Sequence, residues 1–113
     1  LFRSYRALGQ PDEAQQALTK ATSRDPANGA AYNQLGLLHR EAGRFGEAQE
    51  AYREGIEQDP DYAMLYRNLG VLCDIYLQDL QCALENFRSY QERSDADNDK
   101  VNRWIADVER RAQ

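Results

Sequence analysis

The chain has 113 residues, 42% of them hydrophobic and 29% charged, with a formal net charge of −5. That is enough apolar material for the continuous core of one small domain. The acidic balance argues against nucleic acid as the partner, because phosphate binding draws on a basic surface. No apolar run approaches the roughly 20 residues that a membrane-spanning helix needs, and the 2 cysteines are too few for a disulfide-stapled scaffold.

Ala, Leu, Glu, Gln and Arg dominate, Val and Ile are scarce and prolines number 3, which is a helix-forming composition. The sequence also repeats with a period of 34 residues: Tyr32 returns as Tyr66, Leu35-Gly36 as Leu69-Gly70, Gly9 as Gly43, Ala14 as Ala48 and Asp25-Pro26 as Asp59-Pro60. A fixed period of this size marks a stack of small units, none able to bury its apolar face alone.

Taken in order, the first unit (1–27) is partial. The chain starts inside it, as an excised fragment would. Only the end of a first helix remains, about Leu1 to Leu8, stopped by Gly9 in a left-handed conformation. A second helix is expected from Pro11 to Thr22, with Pro11 suited to the first helical position. Ala14, Ala17, Leu18 and Ala21 share one apolar face. The second unit (28–61) is complete. Its helix A is expected over Asn28–Ala42, broken by Gly43, and its helix B over Phe45–Gln58, ended by Asp59-Pro60. Gly36 and Ala48 let these helices approach, with Tyr32, Leu35, His39 and Tyr52 filling the space around them.

The third unit (62–93) departs from the pattern. From Gly36 to Ala48 is 12 residues, but from Gly70 to Ala83 it is 13, and Leu77 stands where a glycine is wanted. A longer connection is expected there, between a helix Asp61–Tyr76 and a helix Leu80–Arg93 capped by Asp79. The polar run 94–99 then leads to a last helix over Asp99–Arg110. Val101, Trp104, Ile105 and Val108 form its apolar stripe, as suits a helix sealing the open end of a stack. On that stripe Trp104 reads as core.

Chemistry-bearing residues are sparse. Cys73 and Cys82 match no zinc spacing and are expected to be free thiols. His39 has no companion Ser, Cys or second His and reads as a packing residue. Asp95, Asp97 and Asp99 begin like a calcium loop, but Lys100 and Ala106 stand where Gly and Glu are required, so the run reads as a solvated linker with a helix N-cap. No catalytic residue, metal or cofactor is expected.

The repeat resembles the tetratricopeptide repeat (TPR), whose pattern is W-x2-L-G-x2-Y, A-x3-F, then P over 34 residues. The second unit reads Tyr32-x2-Leu35-Gly36-x2-His39, Ala48-x3-Tyr52, Pro60, and the third Tyr66-x2-Leu69-Gly70-x2-Cys73, Ala83-x3-Phe87. The resemblance covers residues 1–93, with 94–113 as linker and capping helix. It implies an all-α, right-handed superhelical solenoid of antiparallel helix pairs. It also implies a non-catalytic scaffold whose A helices line a concave groove for a peptide or partner protein. Two other readings stay open: self-association through an unsealed first unit exposing Leu1, Phe2 and Tyr5, and recruitment for a larger enzyme.

By the repeat register, the groove takes Arg3 and Arg6 from the first unit. The second gives Asn33, Gln34, Leu37, Arg40 and Glu41, and the third Met64, Arg67, Asn68, Val71 and Asp74. Four arginines on one side of an acidic chain suit an acidic segment or a C-terminal carboxylate. Family members that clamp chaperone tails use Lys and Asn in one A helix. Asn33 and Leu37 stand at those places, so a full clamp is not expected. Gln34 and Asn68, each before a Leu-Gly, resemble a polar ladder for a peptide backbone.

Overall fold

In the computed structural model, residues 10–95 and 98–113 are described, and all regular structure among them is helical. The remnant of the first helix, with Leu1, Phe2, Arg3, Tyr5, Arg6 and Gly9, lies outside the described residues. Helix α1 spans Gln10–Arg24, α2 Gly29–Glu41, α3 Phe45–Gln58 and α4 Ala63–Val71. Helix α4 continues into a π-helical turn, Leu72–Leu77, followed by α5, Leu80–Arg93, and α6, Asp99–Arg111. Helix α2 packs on α3, α4 on α5, and α6 closes against α5.

Each hairpin closes on a glycine beneath an aromatic ring. A Cβ placed on Gly36 would collide with the ring of Tyr52, and one on Gly70 would come within 2.6 Å of the ring of Phe87. The hydrogen side chain is what lets the helices approach, and Ala48 and Ala83 are fully buried in the same core. A third glycine, Gly55, stands where two units meet: its Cβ would come within 2.6 Å of Tyr32 in its own unit and 2.9 Å of Leu65 in the next.

Polar groups fix the ends. Asn28 caps α2, its side chain accepting from the Ala31 N–H at 3.1 Å. Asp59 accepts from the Gly29 N–H at 3.1 Å, so the Asp-Pro that ends one unit also holds the start of its first helix. The Pro60 carbonyl accepts from the Tyr66 hydroxyl at 2.6 Å and from Arg93 Nε at 2.9 Å, while the Arg93 guanidinium lies 4.4 Å from the centre of the Tyr66 ring.

The bounds of α3 and α5 coincide with those expected from the sequence. The turn of the third unit does not. Its extra residue enters no longer loop; it widens the end of the helix into the π turn, leaving a connection of Gln78 and Asp79 alone. Gln78 takes the left-handed conformation, φ 53°, that Gly43 takes at φ 80° in the preceding hairpin. Asp79 caps α5 as expected, accepting from the Cys82 N–H at 3.1 Å.

The wider turn also corrects the expectation of free thiols. It sets Cys73 and Cys82 with their Cα atoms 5.8 Å apart, and they form a disulfide. In α1, Ala14, Leu18 and Ala21 are partly buried, but Ala17, expected on the same face, is exposed. In α6, Val101, Ile105 and Val108 are buried in the common core. Ion pairs Arg88–Glu109 at 3.3 Å and Arg111–Asp74 at 2.7 Å hold that helix against α5 and the π turn.

Candidate peptide-binding groove

Helices α2 and α4, the A helices of successive units, lie side by side, and α6 stands beyond α4. Arg40, Arg67, Asn68, Val71 and Asp74 line one pocket of 230 Å³, with Ile75, Phe87 and Trp104 as its other walls. Leu37 is partly buried on α2. Gln34, Glu41 and Met64 are exposed. Arg3 and Arg6 fall outside the described residues.

Asn33 and Asn68 are buried, and they bond each other: Asn68 Nδ2 donates to Asn33 Oδ1 at 2.7 Å. Two amides at a helix interface satisfy part of their hydrogen-bonding capacity there and fix the stagger of the helices. Of the two residues expected to form a polar ladder for a peptide backbone, Gln34 is exposed, whereas Asn68 is buried and directs its amide to Asn33, one place off its repeat equivalent. Neighbours across a helix pair are set by stagger, not by sequence register. Arg67 Nη1 lies 3.4 Å from Asn68 Oδ1, a long contact that adds direction more than strength.

The charges of the pocket are unevenly matched. Asp74 is engaged by Arg111, which also grips Asp107 at 2.8 Å; the Asp74 hydrogen bond is the main cause of a raised Arg111 pKa. Arg40 and Arg67, both partly buried, have no carboxylate partner among the described residues. The Arg67 guanidinium instead lies 5.0 Å from the centre of the Trp104 ring, and Lys100 Nζ lies 5.4 Å from it.

Ile75, Phe87 and Trp104 are the pocket residues that the sequence pattern did not assign to the groove, and of these Trp104 comes from the capping helix. It packs on Phe87 with ring centroids 5.4 Å apart, as its place on the apolar stripe requires, yet it keeps an exposed edge in the pocket wall. A ring of this size on a stripe's border serves both sides. Below the groove, Tyr52 is fully buried and its hydroxyl has no hydrogen-bond partner among the described residues. Burial pushes its pKa up to about 12, against the opposing pull of the Arg40 charge.

His39 belongs to the closure of the α2–α3 hairpin. Arg44 Nε donates to His39 Nδ1 at 3.0 Å and lies 3.3 Å from Glu47, whose carboxylate is 3.2 Å from the same imidazole nitrogen. Burial first, and the Arg44 charge second, lower the His39 pKa; Glu47 pulls the other way. The neutral imidazole accepting from Arg44 is the form that fits. Among the described residues no cluster of His, Cys, Asp and Glu is placed to hold a metal ion, and no helix is long and apolar enough to cross a membrane.

The tetratricopeptide repeat family model matches residues 1–63 and again residues 33–99, two overlapping registers of one repeat. The chain belongs to the tetratricopeptide repeat family. Among solved structures it is similar to the first TPR of Spaghetti (RPAP3) bound to the HSP90 peptide SRMEEVD, with 19% identity, a TM-score of 0.81 and coverage of 97% of this chain and 88% of that one. It is also similar to a crystal structure of MamA, with 22% identity, a TM-score of 0.73 and coverage of 93% of this chain and 60% of that one. At these identities the likeness is one of fold. No curated protein matches the chain in a sequence comparison.

Proposed function

We propose that this TPR domain is a non-catalytic interaction module that holds an acidic segment of a partner protein along the face of α2 and α4. The observation that carries the reading is the pair Arg40 and Arg67: two partly buried arginines in one pocket wall without a carboxylate partner among the described residues. In a protein of net charge −5, arginines in a pocket wall with no paired carboxylate among the described residues favour an anionic ligand over the solvated alternative. Arginine's planar fork suits a carboxylate. The structural neighbour whose bound peptide reads SRMEEVD supports a partner of this chemistry. Residues 1–27, 28–61 and 62–93 serve in this reading as successive repeats, with 94–113 as linker and cap.

The reading is tested by fluorescence anisotropy with labelled peptides carrying an acidic run and their lysine-for-acid counterparts. The acidic peptides are expected to bind and the lysine versions not. The double variant Arg40→Glu, Arg67→Glu is expected to lose affinity by about tenfold or more while its helical circular dichroism stays unchanged. Equal affinity for the charge-reversed variant would sink the proposal.

A further inference from the structure

We propose that the Cys73–Cys82 disulfide is a redox switch for the groove: while the bond is closed Asp74 stays on Arg111, and when a small thiol reductant opens it Asp74 is released to compete with the acidic ligand for Arg40 and Arg67. The inference rests on the groove reading above and adds how that site is regulated.

The cross-link and the groove meet in the π turn Leu72–Leu77. Cys73 is bonded to Cys82 of α5. Asp74, the next residue, and Ile75 after it stand in the wall of the pocket that holds Arg40 and Arg67. Tyr76 stacks on Phe45 of α3 with ring centroids 4.5 Å apart. Among these ties only the disulfide is covalent, and the turn it holds is a form of helix that sequences rarely sustain. Opening the bond gives that turn room to move.

Asp74 is the acid such a movement sets free. It is the repeat equivalent of Arg40, one A helix further on, and Arg67, Val71 and Asp74 follow the i, i+4, i+7 spacing of one helix side. All four line the same pocket. Its partner is bound at 2.7 Å but is replaceable: Arg111 also grips Asp107 at 2.8 Å and keeps that bond when Asp74 leaves. A carboxylate tethered in the wall competes with an external one at high effective concentration.

The bond can be reached. Cys73 is fully buried, but Cys82 lies in the wall of a second pocket of about 450 Å³, with Arg53 of α3 and Asp79, Glu85 and Asn86 at and along α5. A small thiolate entering there attacks Cys82 Sγ. A mixed disulfide forms as the Cys73–Cys82 bond breaks, and the electron pair leaves on Cys73 Sγ, which takes up a proton. A second thiolate attacks the reductant's sulfur in the mixed disulfide, and Cys82 leaves and is protonated in turn. Two thiols become one disulfide, and their two electrons and two protons end on the two cysteines. Asn86 Nδ2, 3.5 Å from Cys82 Sγ, is a donor for the negative sulfur. The reduced hairpin stays folded, because His39 and Glu47 close the equivalent point of the preceding one without a covalent bond.

The test is the anisotropy of one labelled acidic peptide on the oxidised protein and on protein reduced with dithiothreitol, with alkylation of both cysteines in a parallel sample confirming the reduction. Reduction is expected to weaken binding about fivefold or more, and reoxidation to restore it. The variant Cys73→Ala, Cys82→Ala is expected to bind at the reduced level with or without dithiothreitol. In Asp74→Asn the gap between oxidised and reduced affinities is expected to close. Equal affinity before and after reduction, with binding still dependent on Arg40 and Arg67, overturns the switch and leaves the groove reading standing. So does a gap that survives Asp74→Asn, or a loss of helical circular dichroism on reduction, which makes the bond a staple. If the acidic peptide binds neither form, both readings fall.

Discussion

The two complete hairpins solve the same closure problem with different chemistry. His39 and Cys73 are equivalent positions, three residues after Gly36 and Gly70; Glu47 and Cys82 are equivalent, one residue before Ala48 and Ala83. The backbone bond next to each pair is also shared: the Arg44 N–H donates to the His39 carbonyl at 2.8 Å, and the Asp79 N–H to the Cys73 carbonyl at 2.9 Å. In the α2–α3 hairpin the side chains of that pair make a polar contact joined by Arg44. In the α4–α5 hairpin they make a covalent bond, with a widened helix end accommodating one extra residue. The repeat thus specifies a contact point, while the kind of contact is free to vary: one closure answers to protons and the other to reductant.

The comparison can be broken hardest at what the hairpins have in common. Gly36→Leu and Gly70→Leu each force a side chain into an aromatic ring and are expected to lower stability by about 3 kcal/mol, read by urea unfolding. If Gly70→Leu were much milder than Gly36→Leu, the π turn would be giving the third unit slack that the second lacks.

The next effect separates them. Replacing Cys73 and Cys82 together by alanine, or adding dithiothreitol, removes a cross-link closing a loop of separation 9; about 2–3 kcal/mol of stability is expected to be lost. Unfolding of a cysteine-free protein that matched the oxidised one would show the bond to be dispensable.

The smallest effect belongs to the other closure. His39 has a folded pKa below its ordinary value of 6.5. Above that value both folded and unfolded states hold it neutral, and its contribution is complete. As pH falls below 6.5 the unfolded chain takes up the proton first, so stability declines until the folded pKa is passed. Thermal midpoints measured from pH 7.5 down to pH 5 are expected to fall slightly in the native protein and less in His39→Gln. Identical slopes would remove His39 from the account.

Much of this architecture is legible in the sequence because it depends on residue types at fixed spacing. Gly36 and Ala48 announce close helix approach; Phe45–Gln58 and Leu80–Arg93 have clear punctuation; Asp79 is a good cap where the helix begins. That each glycine lies against a ring, Gly36 against Tyr52 and Gly70 against Phe87, comes from the structure. What escapes depends on geometry between elements. An extra residue between Gly70 and Ala83 fits a loop or a helix end equally well by count. Residues 72–77 contain no glycine or proline to choose, so the π turn is invisible, and so is the cysteine pairing that follows from it. The Asn33–Asn68 bond lies one place off the repeat equivalence for the same reason. Trp104 sits correctly on an apolar stripe, but a periodic pattern says which side a residue faces and nothing about how far its ring reaches. Arg40 and Arg67 are named by register alone because both stand at A-helix positions, and the structure sets them in one pocket wall.

The cross-link between Cys73 and Cys82 encloses the whole segment that carries the exposed Ile75 and Tyr76. A protease that nicks the backbone within that ring leaves a single molecule on a gel run without thiols and two fragments on one run with them. A cut at this outlying corner would therefore go unnoticed by size under oxidising conditions, and the halves on either side would remain tethered where an uncrosslinked repeat would come apart.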